Sequence, residues 1–265
     1  MKNFSHFYKQ TIEEQILAVH EEIASKPSND LLRIYLAQLH MVQGAWKKSL
    51  IHLQVAAKLK AENILMAQAY REAIQCEINR EQIFLGKTEP LLLDTAPQWL
   101  MNLTLALQLD AEKKHTQAAK QRLNALNEAS EFKCTINEQE FNWLSDADPR
   151  LGPVCELFIN GKYFWHPFSQ IRKIKIEKPH DIRDLIWSPA QVTLSNGESY
   201  PALIPSRYPF SYNYNVKAAK CLVTEWYESD EEQWFAIGQK LIITENNEYP
   251  LLEINQISIL GEDEK

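Results

Sequence analysis

The chain has 265 residues, 45% of them hydrophobic and 24% charged, with a formal net charge of −7. That length is enough for one large domain or two modest ones, and it buries enough surface to need no disulfide or metal staple. The acidic balance argues against a phosphate-dominated nucleic-acid surface and against anionic membranes. No stretch approaches the roughly 20 apolar residues of a membrane span, and the N-terminal MKNFSHFYKQTIEEQ lacks the apolar core of a signal peptide. Cys76, Cys134, Cys155 and Cys221 lie far apart with no CxxC. They read as free thiols in a reducing compartment, so a cytoplasmic protein is expected.

The first 130 residues read as helices. Ile12, Ile16, Val19 and Ile23 share one helical face, and Pro27 follows. Ser28-Asn29-Asp30 can cap a second helix carrying Leu32, Leu36, Leu39 and Val42, which ends at Gly44. A third helix carries Trp46, Leu50, Leu53 and Ala57. The Gly44–Trp46 step, with small or apolar residues at Ser49, Leu53 and Ala56, fits tetratricopeptide-like geometry. Small residues let two helices approach, and the aromatic fills the wedge between pairs. Gln15, Val19 and Glu22 lie 34 positions before that set; Ala118, Arg122 and Ala125 lie 69 after it. The stretch 62–85 reads as one long helix stopped by Gly86, with Glu72, Glu77, Arg80 and Glu81 mostly on its polar side. The stretch 90–94 reads as an apolar connector, two further helices follow over Trp99–Leu109 and 113–129, and the polar stretch 127–138 reads as a linker. Trp46, Tyr70 and Arg71 are candidates for a concave binding face, or, for the two aromatics, core wedges.

From about residue 138 to the end the pattern is β. Asn160-Gly161 between two apolar runs and Asn196-Gly197 after Val192-Thr-Leu predict tight hairpins. The stretch 171–177 alternates apolar and basic residues, as a half-exposed strand does. Short strands are expected over 222–227, 234–237, 241–244 and 251–259, with a helical excursion over 211–220. The whole is an α+β chain: a helical-hairpin domain over 1–130, then a mainly antiparallel curled sheet or partly open barrel over 138–265. The acidic 228–232 and the tail 261–265 read as solvated surface.

The search for chemistry finds no GxGxxG, no GxxxxGK[ST], no HExxH and no GxSxG. The seven His residues show no pair at helical metal-ligand spacing, and neither cofactor nor metal is expected. One polar group marks the junction of the two halves: Asp146, Asp148, Arg150, Asp181, Arg183, Asp184 and Arg207. Paired carboxylates such as Asp146 and Asp148 serve general acid–base chemistry when one pKa is raised, so a hydrolase-like enzyme is the alternative reading. The competing reading is structural: Asp146 and Asp148 cap a helix end or pair with Arg150, Asp181, Arg183 and Asp184 permit the same two readings, and Arg207 either binds an anion or satisfies Asp146 or Glu225. A homodimer through exposed sheet edges is a third, weaker idea.

Several blocks in order then carry a family resemblance: QGAWKKSLIHLQVAAKL, MAQAYREAIQCE, FNWLSDADPRLGPVCELFINGKYFWHPFSQI, DIRDLIWSPAQ, LIPSRYP and EYPLLEI. They span roughly residues 15 to 257, and LSDADPRLGP and NGKYFW are the specific ones. The chain resembles the ImpE/SciE-type (TagJ) accessory proteins of bacterial type VI secretion. The resemblance implies a non-enzymatic adaptor with a tetratricopeptide-like front half. It implies two partners: the small subunit of the contractile sheath, through a helix near that subunit's N-terminus, and the ATPase that dismantles the sheath. A stack of helical hairpins offers a groove for an amphipathic helix, and an acidic chain favours a partner with basic charge.

Overall fold

The computed structural model describes residues 10–93, 96–229 and 233–260. The tail 261–265, most of the acidic loop and the first nine residues lie outside that set. Among the described residues, six α-helices form the front half: α1 (Ile12–Ser25), α2 (Asp30–Val42), α3 (Trp46–Leu59), α4 (Ile64–Phe84), α5 (Gln98–Ala111) and α6 (His115–Glu128). Local chemistry sets their ends. Thr11 and Glu14 form a reciprocal capping box at α1. The Asn29 side chain accepts the Leu31 and Leu32 amides at the start of α2. At the end of α2, Gly44 sits at φ +66° and donates to Met41, while Ala45 donates to His40, the paired bonds of a Schellman cap. The spacing read from sequence is visible in the packing. Gln15 and Val19, then Ser49, Leu53 and Ala56, then Ala118, Arg122 and Ala125 are all buried. Glu22 is exposed, and its neighbour Ile23 takes the buried place.

The back half is built on a nine-stranded sheet. Its strands are β1 (Leu91–Leu92), β2 (Cys134–Ile136), β3 (Gln139–Phe141), β5 (Val154–Ile159), β6 (Lys162–Pro167), β7 (Ile171–Ile176), β8 (Trp187–Leu194), β9 (Ser199–Pro205) and β14 (Gln256–Ile259). Their order is β1-β6-β5-β9-β8-β7-β14-β2-β3. Every pairing is antiparallel except β1 with β6. The sheet stays open, so the barrel form of the expectation is not taken up. A three-stranded sheet joins β4 (Ser145–Asp146), β12 (Leu241–Ile243) and β13 (Glu248–Pro250). The ribbon of β10 (Thr224–Glu228) and β11 (Trp234–Gly238) stands separately. The β5–β6 turn holds Asn160 at φ +50° and Gly161 at φ +72°, as its two-residue hairpin requires. The excursion near 211–220 is a 3₁₀ turn (Ser211–Asn213) followed by the short α7 (Val216–Ala219).

Three expectations are corrected. The run 251–259 is not one strand: Leu251–Glu253 form a 3₁₀ turn, and only Gln256–Ile259 pair in the sheet. The polar stretch expected to link the halves contains β2, whose Cys134 and Ile136 are fully buried. The apolar connector after Gly86 contributes β1 to the sheet. In each case the deciding bonds run to a distant strand, which local composition does not report.

Two apolar cores result. One lies on the outer side of the sheet, among Ile136, Leu157, Ile174, Val192 and Ile257. The other runs without a break from the helices into the sheet, through Leu36, Trp46, Ile74, Phe158, Trp165 and Trp187. No described helix is long and apolar enough to cross a membrane.

Candidate functional site: the polar seam and the groove beside it

Helix α4 lies against the sheet, and three charged residues of its second half do not face water. Glu77, Arg80 and Glu81 are buried, which corrects the expectation of a solvated face. Burying a charge is tolerated only when partners replace its water. Arg80 Nε donates to Glu156 Oε1 at 2.6 Å and its Nη2 to Glu156 Oε2 at 2.9 Å, a two-pronged pair with β5. Arg80 Nη1 donates to Glu77 Oε1 at 2.8 Å, and Nη2 also reaches the Arg207 carbonyl at 3.1 Å. Glu77 in turn accepts the Trp187 indole N–H at 2.7 Å. Glu156 further accepts the Tyr163 hydroxyl and Lys240 Nζ, the latter at 2.7 Å. Burial alone pushes the Glu156 carboxyl up, but Arg80 and Lys240 hold it down at about 2.

The seam residues named from sequence fall into this frame unevenly. Lys240 passes from Glu156 to Asp146 Oδ2 at 2.6 Å. Asp146 Oδ1 accepts the Tyr208 hydroxyl at 2.8 Å and the Asp148 amide at 2.9 Å. Asp148 accepts the Arg150 amide and guanidinium and, at 3.0 Å, the Ala236 amide. Burial pushes the Asp146 carboxyl up, against the pull of Lys240. The void beside Asp146, Cys155, Glu156 and Lys240 is about 10 Å³, room for at most one water. Both carboxylates are thus occupied by donors and face no space for a substrate.

Arg207 satisfies neither Asp146 nor Glu225, which corrects that expectation. Its guanidinium donates to the Met41, Val42 and Ala219 carbonyls at 2.9, 2.8 and 2.7 Å. A cation thereby closes the C-terminal end of α2, where unpaired carbonyls gather. Glu225 is instead held by Asn215 at 2.8 Å.

Asp181, Arg183 and Asp184 form a second, separate cluster on the loop before β8. Arg183 pairs with Asp181, and its guanidinium lies 4.3 Å from the centre of the Tyr70 ring. Asp184 accepts the His180 and Asp181 amides.

Trp46 and Tyr70 both face the back half. Trp46 is 7% exposed, donates to Glu81 at 3.0 Å and packs its ring on Trp187 and Tyr212. Tyr70 is half-buried against Trp187, and Arg71 alone of the three is exposed. Gly44 shows how close the halves come. A Cβ placed there would sit 2.5 Å from the Tyr212 ring. The sheet and its loops therefore cover the side of the helices that carries the aromatics.

A groove of about 430 Å³ stays open between α4 and the sheet. Its α4 wall carries Ala69, Tyr70 and Ala73; its sheet wall carries Phe158, Gly161 and Ala202, with Glu72 and Glu177 at the polar margin. Small residues on both walls leave backbone close to the surface. Sequence reasoning missed this groove because it arises only where an alanine face of a helix meets the sheet. Among the described residues, no group of three or more His, Cys, Asp or Glu is placed to hold a metal.

The comparisons with known proteins agree with this architecture. The family model described as "ImpE protein" matches residues 138–258. The chain is 38% identical over 247 residues to the type VI secretion system accessory component TagJ of Pseudomonas aeruginosa, covering 93% of this chain and 86% of that protein. The crystal structure of protein VPA1032 from Vibrio parahaemolyticus shares the fold, with a TM-score of 0.87 at 19% identity over 95% of this chain and 94% of that one. The chain belongs to the ImpE family, that of the type VI secretion accessory component TagJ.

Proposed function

We propose that this protein is a non-enzymatic adaptor of the type VI secretion machinery. It holds a helix from the small subunit of the contractile sheath and helps link the sheath to the ATPase that disassembles it. The observation that carries this reading is the open groove between α4 and the sheet, beside a seam whose carboxylates are all engaged. A groove with small residues on its walls takes a helix through apolar anchors at i, i+3, i+4 and i+7. Glu72 and Glu177 at its margin favour a helix flanked by basic residues. The hydrolase alternative needs a free carboxylate beside a substrate cavity, and Asp146 and Asp148 offer neither.

Calorimetry of the full chain with a peptide of the sheath small subunit's N-terminal helix tests the proposal. Saturable binding is expected, and Ala69→Trp, which fills the groove from an exposed position, should weaken it at least about tenfold. Absence of heat at high micromolar peptide, or equal binding to the Ala69→Trp variant, would overturn it.

A further inference from the structure

Side chains of both strands of the β10–β11 ribbon touch the body, but among the described residues its backbone is fastened there along the β11 edge. The Ala236 amide donates to Asp148 Oδ2 at 3.0 Å, and its carbonyl accepts from Arg150 Nη2 at 3.2 Å. The Gly238 amide donates to Ser211 Oγ at 2.8 Å, and its carbonyl accepts the Tyr208 amide at 2.9 Å. These groups point away from β10. Ala236 stands opposite Trp226, and Gly238 opposite Thr224. In an antiparallel pair, two opposite residues either exchange both backbone bonds or turn both away. The backbone groups of Thr224 and Trp226, and by alternation those of Glu228, therefore point outward from the ribbon. Among the described residues no strand pairs with that edge. An edge of this kind accepts a further strand.

The side chains point to the same conclusion. Register places Trp226 and Trp234 diagonally on one face, with Glu228 directly opposite Trp234. The two residues are 41% and 52% exposed, and Glu228 is exposed beside them. The other face is occupied, with Tyr227 against Phe235 and Tyr214, and Arg150 over Phe235. Tryptophan is enriched where binding energy concentrates, and its ring face attracts cations.

We infer that the outer edge of β10 is a docking site for an extended, basic segment of a partner protein. The segment pairs its backbone with Thr224, Trp226 and Glu228 and lays a Lys or Arg over the tryptophans beside the Glu228 carboxylate. Charge selects this occupant. A second copy of the same chain would bring a net charge of −7 and a further Glu228 to an edge that already carries one, and like charges brought together at an interface repel. The site is built from residues that do not line the α4 groove, so both surfaces can be occupied together.

The test uses the full chain and a synthetic peptide of about ten residues that alternates Val or Thr with Lys or Arg, beside the same peptide carrying Glu at the charged positions. The basic peptide should bind, weaken about tenfold between low and high salt, and slow hydrogen exchange at the Trp226 and Glu228 amides. The acidic peptide should not bind. Trp226→Ser with Trp234→Ser, and separately Glu228→Lys, should each weaken binding at least about tenfold while leaving the melting temperature unchanged, because all three side chains are exposed. N-methylation of alternate peptide amides should abolish binding. Failure of the basic peptide to bind, equal binding of the acidic one, unaltered affinity in the variants, or a concentration-dependent dimer that the tryptophan variants dissolve would each overturn the inference.

Discussion

Two clusters of nitrogen bases lie within this protein, and they are built on opposite rules. At the seam, Arg80, Arg150 and Lys240 are buried, and each has a carboxylate within hydrogen-bond distance. In the first helices, His40 and His52 stack with ring centres 5.5 Å apart, and His20 approaches His52 at 6.3 Å. The charged groups acting on them are other bases: Arg33, Lys48 and one another. Among the described residues, His40 Nδ1, His52 Nδ1 and Arg33 Nε are buried with no hydrogen-bond partner. A buried base opposed by a carboxylate stays charged and ties two elements together. The His40 and His52 imidazoles, desolvated among other bases, are held toward the neutral form, and acid turns them against the fold.

The largest expected effect comes from breaking the matched cluster. Arg80→Met leaves Glu156 and Glu77 buried without their guanidinium. It should cost about 3–5 kcal/mol, read as a lower urea midpoint. Adding Glu156→Gln should recover part of that loss, because the amide still accepts from Tyr163 and leaves Lys240 only Asp146 to balance. A full, additive loss in the double variant would show that the two residues do not act as a pair.

Next is the contact between the halves. Gly44→Ala forces a side chain into a left-handed backbone and against the Tyr212 ring. About 2 kcal/mol should be lost, and Tyr212→Ala in the same chain should relieve the steric part while leaving the backbone part.

The pH response separates the clusters directly. Burial, then His40, Arg33 and His20, push the His52 imidazole down to about 4. The unfolded chain takes up that proton near pH 6.5 and the folded one does not, so stability falls between about pH 6.5 and 4 and then levels. On the order of 1 to 2 kcal/mol should be lost over that window, seen in urea midpoints, and His52→Gln should remove most of the slope. Glu156, held near 2, has the contrary window: its contribution is complete above about pH 4.5 and is lost only as pH falls toward 2. Loss of stability at the seam above pH 5 would break the comparison. The smallest effect is expected at the ribbon, where Trp226→Ser should change stability by no more than about 0.5 kcal/mol while changing binding.

Much of this was legible in the residues. Apolar spacing gave α1 to α6, and Asn160-Gly161 gave its hairpin, because helix periodicity and turn chemistry act within a few residues. The ordered blocks gave the family. The pairing of Asp148 with Arg150 was also open to reading, since the two stand two positions apart. The partners of Asp146 and Arg207 were not, because Lys240 and Met41 lie far away in the chain.

Arg80 marks the limit most clearly. On α4 alone, Glu77, Arg80 and Glu81 look like a face turned to water, since an isolated helix has nowhere else to put them. Glu156 on β5 supplies the neutralising carboxylate from 76 positions away, and Trp46, Trp187 and Tyr212 supply the remaining hydrogen bonds. Which segments coil, which extend and where they turn follows from near neighbours along the chain, and so could be read from the residues. Which charges are buried is fixed in three dimensions, because a buried charge is stable only when the folded chain brings its partners to it.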